Sequence, residues 1–228
     1  MTREHVCTHI ADAGIIPAVR VPSADDARFA ITTLAASGFS LIELTMTVPG
    51  ALELLRELTR AHPRLMLGAG SIRDVETARR CLDAGAAFVT SPGLIPAVVD
   101  FALKHGIAVI PGALTPTEVL TAMQAGAVDF IKIFPCAQVG GPSYIKALKA
   151  PFPDARLIAT GGVNQKTAAE FIHAGASAIG VRQELIPAEA IENRNEDWIH
   201  ELAQRFKRMV KQARHEVAAG TAPALSVE

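Results

Sequence analysis

The sequence predicts an α/β fold, a TIM (β/α)8 barrel folded as a single domain, and three observations point to it. Short apolar runs alternate with amphipathic segments roughly every 20 to 25 residues along the chain of 228. The runs number eight, the strand count of that barrel. Most of the helical segments between them stop at a glycine.

The eight runs are Ile15–Val21, Ser40–Leu44, Leu65–Gly70, Ala87–Ser91, Ala108–Pro111, Asp129–Phe134, Arg156–Thr160 and Ser177–Val181. They are short, rich in Val, Ile and Ala, and almost continuously apolar, as parallel strands are when helices cover them. Segments such as Ala24–Ala36, Asp74–Ala84 and Thr115–Ala125 carry apolar residues at helical spacing. Pro49, Asp74, Pro96, Thr115 and Asn164 mark helix starts, and Gly38, Gly85, Gly106, Gly126 and Gly175 mark stops, where a left-handed residue ends the helix. Eight such units favour a closed barrel over a doubly wound open sheet, and no GxGxxG follows the first strand. The last helix is expected from about Glu196 to Arg214. The barrel domain then spans residues 1–214, with 215–228 as a disordered tail.

Half of the residues are hydrophobic, enough for a large core without disulfides or metals. The net charge of −1, with acids and bases mixed, gives no reason to expect nucleic acid or an anionic membrane as partner. Cys7, Cys81 and Cys136 are odd in number and widely spaced, and read as reduced thiols. Arg3, Glu4 and Asp12 precede the first apolar run, unlike a signal peptide, and no apolar stretch approaches the roughly 20 residues that span a bilayer. A soluble, cytoplasmic protein is expected.

In such a barrel the active site lies at the carboxyl ends of the strands. Polar groups there are the candidates: Arg20, Glu43, Thr45, Ser71, Ser91, Lys132, Thr160 and Arg182. Alternation places Phe130, Lys132 and Phe134 on one face of their strand. Poor hydration between two phenylalanines favours a neutral amine, the form that attacks a ketone to make a Schiff base; the alternative is a lysine that snorkels to solvent. Glu43 interrupts an apolar run and shares a face with Leu41 and Thr45. It suits either a proton shuttle or a structural ion pair with Arg20 or Lys132. Thr160-Gly161-Gly162-Val163-Asn164 follows the seventh run, where barrels of this kind commonly cradle an anion on backbone N–H groups, although a tight turn needs the same small residues.

These motifs, taken in order, resemble the 2-keto-3-deoxy-6-phosphogluconate (KDPG) and 4-hydroxy-2-oxoglutarate (KHG) aldolase family. The resemblance runs from about Gly14 to about Ala213. It rests on Leu41-Ile-Glu-Leu-Thr45 with Pro49, Gly68-Ala-Gly-Ser71, Ser91-Pro-Gly-Leu94, Pro111-Gly112 with Thr115-Pro116, Phe130-Ile-Lys-Ile-Phe-Pro135 and Thr160-Gly-Gly162. It implies Lys132 as the Schiff-base lysine and Glu43 as general acid/base acting through a bound water. It further implies Ser71 as a hydroxyl near the pyruvate moiety, Pro92 in the pyruvate pocket wall, and Gly161 and Gly162 as donors to a phosphate. It implies a homotrimer acting on a small 2-keto acid, with neither metal nor organic cofactor.

Two positions depart from the family pattern. Thr47 stands where an arginine usually grips the substrate carboxylate, and Arg20 is expected to take over that role. Gly180-Val-Arg-Gln-Glu184 replaces a Gly-Ser element of the phosphate cradle, so Arg182 is expected to meet a phosphate or a carboxylate, with Glu184 opposing a dianion. Three other readings stay open at this point. They are the sister specificity for 2-keto-3-deoxy-6-phosphogalactonate (KDPGal), a phosphate-binding isomerase or epimerase without Schiff-base chemistry, and a barrel that binds a keto acid without turnover.

Overall fold

The computed structural model describes residues 2–125 and 129–223. The expected helix stop at Gly126 and residues 224–228 of the expected tail lie outside them. The strands are β1 (Ile15–Val19), β2 (Leu41–Thr45), β3 (Met66–Gly70), β4 (Phe88–Thr90), β5 (Ala108–Ile110), β6 (Gly112–Ala113), β7 (Ile131–Ile133), β8 (Leu157–Thr160) and β9 (Ala178–Val181). All pair in parallel, in the order β5-β4-β3-β2-β1-β9-β8-β7-β6.

The two ends of that order are halves of one stretch of chain. The fifth strand, expected over Ala108–Pro111, is interrupted at Pro111, which has no N–H to give to a ladder, and resumes beyond it. The residues before Pro111 pair with β4 and Gly112–Ala113 after it pair with β7, so the covalent chain itself completes the ring. Nine strand segments thus occupy eight strand positions, and the architecture is the expected barrel, not the open sheet.

The helices are α1 (Arg3–Ala13), α2 (Ala24–Ala36), α3 (Ala51–Ala61), α4 (Val75–Asp83), α5 (Pro96–Lys104), α6 (Pro116–Gln124), α7 (Gly141–Lys149), α8 (Ala168–His173), α9 (Ala188–Glu192) and α10 (Glu196–Ala219). Ser23, Asp74, Thr115 and Asn195 accept from backbone N–H groups of the first turns of α2, α4, α6 and α10. Asn164, expected at a helix start, instead closes the turn before α8 by accepting from Lys166 and Thr167 N–H. The expected end at Arg214 and tail from 215 need correction, since α10 continues to Ala219 before Gly220 stops it.

Strand alternation produces two cores. Outward residues such as Ile42, Leu44, Val89, Ile131, Ile133 and Ile179 meet the helices. Inward residues such as Ile16, Leu41, Met66, Phe88, Phe130 and Ile158 fill the barrel. A Cβ at Gly68 would overlap the ring of Phe88, so that glycine lets the ring cross the barrel axis. Helix α1, unforeseen from the sequence, closes the amino-terminal end with Val6, Cys7 and Ile10 against this inner core. Towards the carboxyl ends the same inward rows turn polar. No helix among the described residues is long and apolar enough to cross a membrane.

Candidate active site

The inward positions that follow the apolar layer are Glu43 and Thr45 on β2, Thr90 on β4, Lys132 on β7 and Thr160 on β8. All but Thr90 line a cavity of about 270 Å³ at the carboxyl end of the barrel, and Thr90 borders a small void of about 10 Å³ together with Glu43, Lys132 and Thr160. Its wall holds Arg20, Glu43, Thr45, Ser71, Pro92, Lys132, Phe134, Thr160, Gly161, Gly162 and Arg182. The barrel thus gathers eleven residues that the sequence singled out, drawn from both halves of the ring. Thr47 is the exception. It lies on the exposed turn after β2, outside the cavity wall, with its Oγ1 3.1 Å from Thr45 Oγ1.

Lys132 Nζ and Glu43 Oε2 are 3.6 Å apart, with side chains only 11% and 6% exposed. A pair so deeply buried is costly to desolvate, which makes it a weak source of stability. The Lys132 ammonium also lies 5.8 Å from the ring centre of Phe134. Phe130, by contrast, belongs to the inner core one layer down. A Cβ on Gly70 would collide with the Glu43 carboxylate, so β3 makes room for that side chain. Thr90 stands between the pair, donating to Glu43 Oε2 at 3.0 Å and accepting from Lys132 Nζ at 3.4 Å. The sequence reading passed over Thr90 in favour of its neighbour. Ser91 is also buried, but its hydroxyl donates to the Gly93 carbonyl at 2.7 Å and takes no part in the cavity wall.

Arg20, just past the end of β1, donates from Nη2 to Ser71 Oγ at 2.9 Å. Ser71 has a φ of 63°, a left-handed conformation uncommon outside glycine. Burial, and next the nearby charge of Arg20, pull the Arg182 guanidinium below its ordinary value. Among the described residues neither arginine pairs with a carboxylate, so both present positive charge to the cavity. Gly161 and Gly162 have φ of 88° and 81°, and Gly162 passes where a Cβ would strike Ala137. Both therefore favour glycine, and their backbone borders the cavity. Asn164, Gln183 and Glu184 complete the rim.

The family model for KDPG and KHG aldolases matches residues 6–202. The chain belongs to the KDPG/KHG aldolase family. A 2-dehydro-3-deoxy-phosphogluconate aldolase from Pseudomonas aeruginosa is 34% identical over 161 residues, 71% of this chain and 73% of that protein. The enzyme of the same name from Treponema pallidum is 32% identical over 197 residues, 86% of this chain and 93% of its own. Among solved structures, KDPG aldolase from Legionella pneumophila, with pyruvate captured as a covalent carbinolamine, superposes with a TM-score of 0.80 at 29% identity. That match covers 86% of this chain and 95% of the other. The protein is accordingly an aldolase, a carbon–carbon lyase, and the isomerase and non-catalytic readings fall away.

Proposed function

We propose that this aldolase cleaves a 2-keto-4-hydroxy acid with an anionic far end, of the KDPG or KHG type, through a Schiff base on Lys132. Pyruvate and an aldehyde are released. The observation that carries the reading is the buried Lys132–Glu43 pair at the floor of a cavity flanked by two arginines that have no carboxylate partner among the described residues. The carbinolamine captured in the Legionella relative supports it.

The neutral amine of Lys132 adds to the C2 ketone, and loss of water leaves a protonated imine. That cation accepts the electron pair of the C3–C4 bond as it breaks. Glu43 removes the C4 hydroxyl proton, directly or through a bound water, so the departing fragment leaves as an aldehyde. The resulting enamine is reprotonated at C3 and hydrolysed to pyruvate and free enzyme.

Arg20, steadied by Ser71, takes the C1 carboxylate in place of the arginine absent at position 47. Pro92, Thr45 and Phe134 shape the pyruvate end of the cavity. Gly161 and Gly162 offer backbone donors to the far anion, beside Thr160 and Arg182. Arg182 suits a carboxylate as well as a phosphate, which keeps glyoxylate and glyceraldehyde 3-phosphate both open as products. A homotrimer and a cytoplasmic setting belong to the same proposal, and light scattering against the 24.1 kDa chain mass tests the first.

The test is to incubate the protein with pyruvate, reduce with borohydride and map the product by mass spectrometry. A reduced pyruvyl adduct is expected on Lys132 and is expected to vanish in Lys132→Ala. An unmodified Lys132 at saturating pyruvate would remove the proposal.

A further inference from the structure

A lysine that is to attack a ketone first has to lose its proton to a nearby base. Lys132 and Glu43 are the obvious exchange partners, with 3.6 Å between their nearest atoms. The Thr90 hydroxyl fills the gap. Its proton is committed to Glu43 Oε2 at 3.0 Å, and its lone pair receives Lys132 Nζ at 3.4 Å. The direction of the chain is set, from lysine through threonine to glutamate.

Several features keep that hydroxyl in place. Thr90 is 1% exposed. Its carbonyl accepts from Ile72 N–H at 3.0 Å, and its neighbour Ser91 donates N–H to Ile110 O at 3.2 Å, so the backbone on both sides is tied to adjacent strands. Beneath the three groups the barrel leaves a void of about 10 Å³, walled by Ile16, Ile110 and Ile158. That is at the lower limit for a single water, so on this side of the pair the Thr90 hydroxyl is the bridge between the two groups.

We infer that Thr90 is a proton relay and positioning residue for the proposed Schiff-base chemistry. The inference rests on that reading of the site. In one concerted step a proton passes from Lys132 Nζ to Thr90 Oγ1 while the threonine proton passes to Glu43 Oε2. One N–H and one O–H bond break, and two O–H bonds form. Threonine ends unchanged, the amine is neutral and the carboxyl is protonated. The same step thus frees the nucleophile and loads the acid that later protonates the carbinolamine hydroxyl as water leaves. Run in reverse, it returns the site to its resting state after pyruvate is hydrolysed off.

The test compares wild type, Thr90→Val and Thr90→Ser for the rate of borohydride-trapped pyruvate adduct and for steady-state cleavage. Thr90→Val keeps the shape and loses the hydroxyl. It is expected to slow adduct formation about 100-fold, the scale of a positioned proton-transfer group, with KM changed less than about threefold. Thr90→Ser restores the hydroxyl and is expected within about fivefold of wild type. The solvent deuterium isotope effect on trapping should fall in Thr90→Val, a change that a packing defect would not produce. A normal rate in Thr90→Val, or an equal loss in Thr90→Ser, would overturn the relay. Should Thr90→Val fail to fold, the same comparison with Thr90→Ala decides it. If wild type itself forms no adduct, the Schiff-base reading fails and the relay with it; a wild-type adduct with normal Thr90→Val kinetics removes the relay alone.

Discussion

Arg20 donates to Ser71 and borders the cavity from beyond β1, the placement behind the proposal that it grips the keto-acid carboxylate. A hydrogen bond to a charged group contributes roughly 1.5–3 kcal/mol, and 1.4 kcal/mol is about tenfold in affinity. Arg20→Ala is expected to raise KM for the keto acid by about ten- to a hundredfold with kcat largely retained, measured by steady-state kinetics. An unchanged KM would mean that another group holds the carboxylate. The residues themselves were largely legible, because charges at strand ends stand out against an apolar pattern. Thr90 was not, since drawing the fourth strand to Ser91 directs attention one residue too far. Counting by twos from the buried Phe88 would have placed Thr90 inside and Ser91 outside. Thr47 stands on the exposed turn after β2, outside the cavity wall, a placement that its position in the motif does not reveal.

The elements follow their punctuation closely. At α6, Thr115 Oγ1 accepts from Glu118 N–H at 3.3 Å, while the Glu118 carboxylate accepts from the N–H groups of Thr115 and Leu114, each at 2.8 Å. Removing the cap with Thr115→Ala is expected to cost about 1 kcal/mol in chemical denaturation. The N–H of Thr115, then that of Leu114, hold the Glu118 carboxyl below its ordinary value. Its contribution is therefore complete above the unfolded value near about 4.3 and is lost as pH falls through the lowered folded value. Thermal melts of wild type and Glu118→Gln should converge on acidification below that point; a constant difference would refute the assignment. Some elements escaped the sequence, the short α9 among them. Helix α1 offers only Val6, Cys7 and Ile10 as an apolar face, too few to stand out from its polar neighbours. The break in the fifth strand is written in Pro111, but a proline at a strand end and one within a strand look alike until the partners on both sides are known.

At the scale of the molecule, the site exists only when the ring does. β1 has to pair with β2 on one side and with β9 on the other, and the second of these contacts joins opposite ends of the sequence. Such distant pairings form late, because the chain entropy of closing a long loop is lost before the contacts repay it. Refolding from denaturant should accordingly restore far-ultraviolet dichroism before activity, and coincident recovery in a stopped-flow experiment would count against this order. The division at Pro111 gives that lag a purpose. Glu43 and Thr90 lie before it, Lys132 lies after it, and the Pro111 carbonyl accepts the backbone N–H of Lys132 at 2.9 Å. A primary amine primed for carbonyls is a hazard in any solution that contains aldehydes. Here the groups proposed to prime it are kept in the other half of the chain, and the hinge between the halves also anchors the lysine. On that proposal the seam acts as a safety catch, since Glu43, Thr90 and Lys132 come together only inside a ring already shut around them.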